Sequence, residues 1–184
     1  MSLIVGKELH DLIDLNIITA LHENVNAASI DIRIGDEILV EDETSFGLVD
    51  IDAKESPTFT KIKIGEEGVI IRPGQCFLAH SIEFFNLPNT ISGQFVLRST
   101  LGRCFLEHMN AGWCDAGWHG SQLTMEFKNM LNTHELLIKP GMRVGQVKFE
   151  RHEDVGEDSY AIKGNYNGQI GATEAFQGAG HTMS

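Results

Sequence analysis

The chain has 184 residues, 42% of them apolar and 22% charged, and a formal net charge of −12. That is a globular make-up, long enough for one well-buried domain, and its acidity argues against a general nucleic-acid binder, which needs a basic stripe. No run of about 18 apolar residues offers a membrane span, no secretory leader is apparent, and three cysteines (Cys76, Cys104, Cys114) suit reduced thiols in a cytoplasmic setting better than a disulfide framework.

In chain order, Leu9, Leu12, Ile13 and Ile17 within residues 6–21 share one helical face and predict a short N-terminal helix. Ile30, Ile32 and Ile34 then alternate with Asp31, Arg33 and Gly35, which is strand periodicity. Residues 41–63 are polar and acidic and read as a long surface excursion. Beyond them, short apolar runs (Val69–Ile71, Cys76–Leu78, Ile91–Leu97, Leu123–Phe127, Leu136–Ile138, Val144–Phe149) are divided by Gly, Pro and Asn. Many short strands with regular turn signals predict an all-β sandwich or barrel. VIIRPGQCFLAH around Pro73 and LLIKPGMRVGQV around Pro140 each read as strand, tight turn, strand. Pro-Gly fits the centre of a type II turn, and the pair reads as two hairpins or as a jelly-roll-like duplication. The glycine-rich tail from Gly164 is expected to be mobile unless a ligand or partner orders it.

Chemistry gathers between Arg98 and Asn129: cationic Arg98 and Arg103, hydroxylic Ser99 and Thr100, anionic Asp115 and Glu126. Each has a plainer reading. Glu126 sits on the polar side of an alternating strand and is a solvated carboxylate unless that side lines a cleft, where burial would raise its pKa and suit it to proton transfer. Ser99 and Thr100 either cap the segment after a strand-ending turn or, with the arginines, cradle phosphate. Asp115 stands before Ala-Gly, a natural turn, yet a turn carboxylate could also hold a sugar hydroxyl or a water. Trp113 and Trp118 flank it and are either core residues or a platform for a sugar or base. Metal chemistry is not expected: Cys104 and His108 are spaced i, i+4, but no second ligand pair stands at a recognisable spacing. The zinc-deaminase, P-loop, Rossmann and nucleophile-elbow patterns are missing too.

Taken together, NAASIDIRIGD, the R-S-T-L-G-R run, AGWCDAGWHG, L-T-M-E-F-K-N and IKPGMRVGQVKFE, in that order, resemble the dCTP deaminases of the trimeric dUTPase superfamily. The resemblance covers most of the chain. It implies a single domain over 1–184, a distorted all-β barrel or jelly roll with a short N-terminal helix, and a homotrimer with sites between subunits. It implies zinc-free deamination of dCTP to dUTP and ammonia, with magnesium (Mg2+) carried by the triphosphate and dTTP a candidate inhibitor. In that frame Glu126 is the general base that activates water at C4 of cytosine and shuttles the proton. Ser99 and Arg103 place the water and the phosphates, and Arg98 and Thr100 extend the phosphate cradle. Backbone near Met109 and Ala111 reads the base, Asp115 and Trp118 hold the deoxyribose, and Tyr160 and Gln169 close over the triphosphate as the tail folds down from about residue 164.

The chain departs from the family pattern in three places. Ala116 replaces a usual proline, one added residue before Leu123 predicts a bulge near Ser121, and Asn165 replaces a usual phosphate-binding lysine, with Lys163 a candidate substitute. Two further functions fit the same residues. One is a dUTPase or a bifunctional enzyme yielding dUMP and pyrophosphate, in which Asp115 positions water at the α-phosphate. The other is a nucleotide-binding module without catalysis.

Overall fold

The computed structural model describes residues 1–176. In chain order its elements are β1 (Ser2–Leu3), α1 (Lys7–Asp14), β2 (Ile30–Glu41), β3 (Phe59–Lys63), β4 (Val69–Ile71), β5 (Cys76–Asn86) and β6 (Ile91–Leu97). There follow α2 (Ser99–Arg103), β7 (Leu106–His108), β8 (Trp113–Cys114), β9 (His119–Asn129), β10 (Leu136–Ile138), β11 (Arg143–Arg151) and α3 (Tyr160–Lys163). Nine strands make one curled antiparallel sheet in the order β7-β9-β5-β2-β11-β6-β8, with β1 beside β11 and β3 beside β2. The predicted all-β architecture with a short N-terminal helix is what the chain adopts.

The isoleucine alternation in β2 explains its central place. Ile30, Ile32, Ile34 and Ile38 are fully buried and join Phe77, Phe85, Phe127 and Phe149 from neighbouring strands in one core. The opposite side of β2 is covered as well: Asp31 is buried, and its carboxylate faces Arg98 and Arg143 at 3.3 and 3.4 Å.

The helix is shorter than its apolar spacing predicts. It ends at Asp14 because Asn16 takes φ 56, and the N–H groups of Asn16 and Ile17 bond back to Ile13 and Leu12. That is a Schellman stop, so Ile17 packs on the core from outside the helix. The excursion over 41–63 also needs correction, since its last five residues are β3, an edge strand on β2. Lys61 and Lys63 pair with Glu37 and Asp36 across the strands at 2.9 and 2.6 Å. Edge lysines hide a strand in a charge-dominated window.

The two Pro-Gly segments are not hairpins. Gly74 and Gly141 take φ 76 and 80, as a type II turn demands, but the strands either side of each turn do not pair. Instead β4 pairs with β10, and β5 and β11 lie on either side of β2. Equivalent strands therefore occupy equivalent places, which is the duplication-like alternative. The added residue before Leu123 appears where expected. Phe85 faces Ser121 and Asn86 faces His119, leaving Gly120 as a one-residue bulge in β9.

Candidate active site

The polar side of β9 does line a cleft. Leu123, Thr124 and Glu126, with Leu78 from β5, form one wall of a cavity of about 490 Å³. Met125 and Phe127, pointing the other way, are fully buried in the core. The alternation that makes Glu126 resemble a solvated sheet carboxylate thus aims it into a half-open cleft.

Glu126 pairs with Leu78 across the strands and keeps a side-chain exposure of 26%. Its Oε2 is buried and, among the described residues, has no hydrogen-bond partner. Burial raises its pKa above the ordinary 4.5, outweighing the lowering effect of a backbone hydrogen bond. His108 of β7 approaches this oxygen, Nε2 to Oε2, at 3.5 Å. The contact is not an ion pair, because burial pushes His108 down to about 4 and keeps it neutral. The Asn110 N–H donates to His108 Nδ1 at 3.2 Å, so the ring proton belongs on Nε2, facing the carboxylate. Phe95 and Phe127 flank the imidazole at 4.7 and 5.5 Å between ring centroids.

The other end of the cavity is a turn. The Trp118 N–H donates to the Asp115 carbonyl at 3.2 Å, and Gly117 takes φ 88, the third position of a type II turn. Ala116 stands where proline suits such a turn, so its replacement costs little geometry. A Cβ at Gly117 would lie 2.1 Å from Ser159 Oγ, which ties the turn to the start of α3. The two tryptophans divide the readings offered for them. Trp118 is 5% exposed, packs on Phe85 at 5.2 Å and donates from Nε1 to the Tyr166 carbonyl. Trp113 is 55% exposed, and its Nε1 donates to Asp115 Oδ1 at 2.9 Å.

The tail is strapped along the cavity. The Gly168 N–H donates to the His119 carbonyl, the Gln122 N–H to the Gln169 carbonyl, and the Thr173 N–H to Thr124 Oγ1. Tyr160, Tyr166, Gln169, Thr173 and Glu174 line the space as a result. The Gln169 amide is committed within the protein, donating to the Gln122 carbonyl and accepting from Thr173 Oγ1 at 2.6 and 2.9 Å. The last residues of the predicted closing tail, 177–184, lie outside the described residues.

A second cavity of about 450 Å³ adjoins the first and shares Asp115 and Tyr160 with it. Lys163 and Asn165 line it, and Lys163 is ion-paired with Asp158.

Of the residues singled out in the sequence, the fold gathers Ala111, Asp115, Trp118, Glu126, Tyr160 and Gln169 around the first cavity. Met109 is half-exposed beside it, its N–H bonded to the Glu126 carbonyl at 3.0 Å. Arg98, Ser99, Thr100 and Arg103 do not line it; the last three are exposed on α2. Nor do the hydroxyls cap that helix, since the cap position is Arg98, without a side-chain bond. Sequence reasoning missed Tyr166, Thr124 and Ser56 as lining residues. It treated His108 only as a poor metal ligand. Its spacing from Glu126 gives no signal, because the two meet across β7 and β9.

A family profile described as dCTP deaminase-like matches residues 3–152. The tail that closes the cavity lies beyond that match. Proteins named "dCTP deaminase, dUMP-forming" from Sulfurihydrogenibium and Persephonella marina are 40% and 37% identical over 150 residues, 81% of each chain. The fold also matches a solved 2'-deoxycytidine 5'-triphosphate deaminase from Agrobacterium tumefaciens, with a TM-score of 0.64 and 20% identity. That match covers 81% of this chain and 48% of the other. The curled sheet, the cavity over β9 and these likenesses agree: the chain belongs to the dCTP deaminase-like family.

Proposed function

We propose that the protein deaminates dCTP and carries the product on to dUMP and pyrophosphate. The observation that carries this reading is the half-buried Glu126 carboxylate, set in the wall of a nucleoside-sized cavity that Asp115 also lines. The relatives' names favour the dUMP-forming reaction over release of dUTP, the product first expected from the motifs. Glu126 takes a proton from water, the hydroxide adds to C4 of the cytosine, and the carboxyl returns protons to the ring and the departing amine. A raised pKa suits that shuttle, since the group must both accept and release a proton near neutrality. At the far end, Asp115 orients a second water toward the α-phosphate.

Two parts of the proposal concern groups the single chain does not gather. The exposed α2 residues Ser99, Thr100 and Arg103 would serve the cavity of a neighbouring copy in a homotrimer, with Arg98 fixed behind them by Asp31. Magnesium would arrive with the triphosphate. Among the described residues no three His, Cys, Asp or Glu side chains gather as a metal site, and one carboxylate plus phosphates is an ordinary donor set for that ion. When bound it offsets phosphate charge. Among the described residues no helix is long and apolar enough to cross a membrane.

The test is to incubate the protein with dCTP and magnesium and resolve the products. Ammonia, dUMP and pyrophosphate in equal amounts support the reading. Accumulating dUTP would restore the monofunctional reaction, and no turnover of dCTP or dUTP would leave a binding module.

A further inference from the structure

The geometry points to Trp113 as a positioning residue that sets how much of the nucleotide goes on to phosphate cleavage. It rests on the dUMP-forming reading of the site. Trp113 follows Gly112, whose carbonyl accepts from the Phe95 N–H at 2.7 Å. A Cβ at Gly112 would lie 2.8 Å from the Phe95 carbonyl oxygen, so the backbone ahead of Trp113 is pressed against β6. Trp113 itself pairs with Gln94 of that strand. From this fixed base the indole N–H reaches Asp115 Oδ1 at 2.9 Å.

An exposed tryptophan does not need this bond to fold. The ring is 55% exposed and lines the same cavity as Glu126. What the bond fixes is the carboxylate. With Oδ1 committed to the indole, Oδ2 is left for a ligand, and Asp115 stands where the two cavities adjoin.

Deamination takes place at Glu126 and uses Asp115 for substrate binding, not for aligning a water. Phosphate cleavage depends on that alignment. The water oxygen bonds to the α-phosphorus, and the bond from that phosphorus to the α,β-bridging oxygen breaks. Pyrophosphate leaves with the electron pair, and the water's proton passes to Oδ2 and then to solvent. Attack must be in line with the leaving group, so a carboxylate free to rotate loses alignment rather than charge.

The experiment measures dUMP formed per ammonia released from dCTP with magnesium, in the unaltered protein, Trp113→Phe and Trp113→Gln. Phenylalanine keeps the ring and removes the donor; glutamine restores an N–H without the ring. Loss of a hydrogen bond to a charged group predicts a fall of about tenfold in the dUMP-to-ammonia ratio for Trp113→Phe, with partial recovery in Trp113→Gln. An unchanged ratio in Trp113→Phe, or loss of ammonia and dUMP in parallel, overturns the proposal. If the unaltered protein forms no dUMP from dCTP or from dUTP, the underlying reading has failed and this one with it. An unchanged ratio in a protein that does form dUMP condemns the role of Trp113 alone.

Discussion

The two acids of the cavity are built in opposite ways. Glu126 sits in mid-strand, with one oxygen buried and, among the described residues, unpartnered, and a neutral imidazole facing it. Asp115 sits in an exposed turn, with one oxygen held by an indole and the second cavity on its far side. Burial changes proton affinity, which suits the first arrangement to the proposed proton shuttle. A hydrogen bond to one oxygen fixes a carboxylate's orientation, which suits the second to the proposed role of guiding water.

The largest effect that could break this comparison is at Glu126. Glu126→Gln keeps the shape and removes the base, and ammonia release from dCTP should fall by about 10³-fold or more while nucleotide binding persists. Turnover near the original rate would end the assignment. Next is Asp115→Asn, where dUMP formation from dUTP should fall by about 100-fold, within the usual range for a lost general acid–base group. Ammonia release should continue with a raised KM. A parallel collapse of both activities would mean that the acids do not divide the work.

A smaller effect sharpens the difference in burial. Glu126 must be ionised to act, and its pKa lies above 4.5. The acid limb of kcat/KM for ammonia release should therefore lie at higher pH than that ordinary value. Hydrolysis of dUTP should lack this limb, and a shared limb in the two profiles would contradict the separation.

The smallest effect concerns stability. His108 is held at about 4 against an ordinary 6.5, so the unfolded chain takes up its proton first as pH falls. The stability that neutral His108 contributes is complete above 6.5 and is lost as pH drops toward 4. Glu126 opposes this above 4.5, because its raised pKa makes the folded state the stronger proton binder. His108→Gln should flatten the fall of Tm between pH 6.5 and 4, and an unchanged slope would place the acid sensitivity elsewhere.

The regions differ too in how far the sequence revealed them. Strand positions with strong alternation, such as Ile30–Ile34 and Leu123–Phe127, could be placed from periodicity, and the bulge falls at Gly120, beside the predicted Ser121. β3 stayed hidden because its edge lysines and half-buried Ile62 dilute the apolar signal. The partnership of β4 with β10 is a long-range choice that no local pattern encodes. In the site, Glu126 and Asp115 stood out as candidates in short motifs, and the fold brings both to one cavity. His108 was not, since its role depends on a neighbouring strand and on the Asn110 N–H that fixes its tautomer. Tyr166 was not, since it reaches the cavity through a tail bonded to the edge of β9.

The most direct test of the central claim is to give Glu126→Gln protein dUTP in place of dCTP, with magnesium, and measure dUMP. If the acids divide the work, dUMP forms at close to the rate of the unaltered protein although ammonia release from dCTP is gone. If dUMP formation is lost along with deamination, Glu126 serves both reactions and the division between a buried shuttle and an exposed guide is wrong.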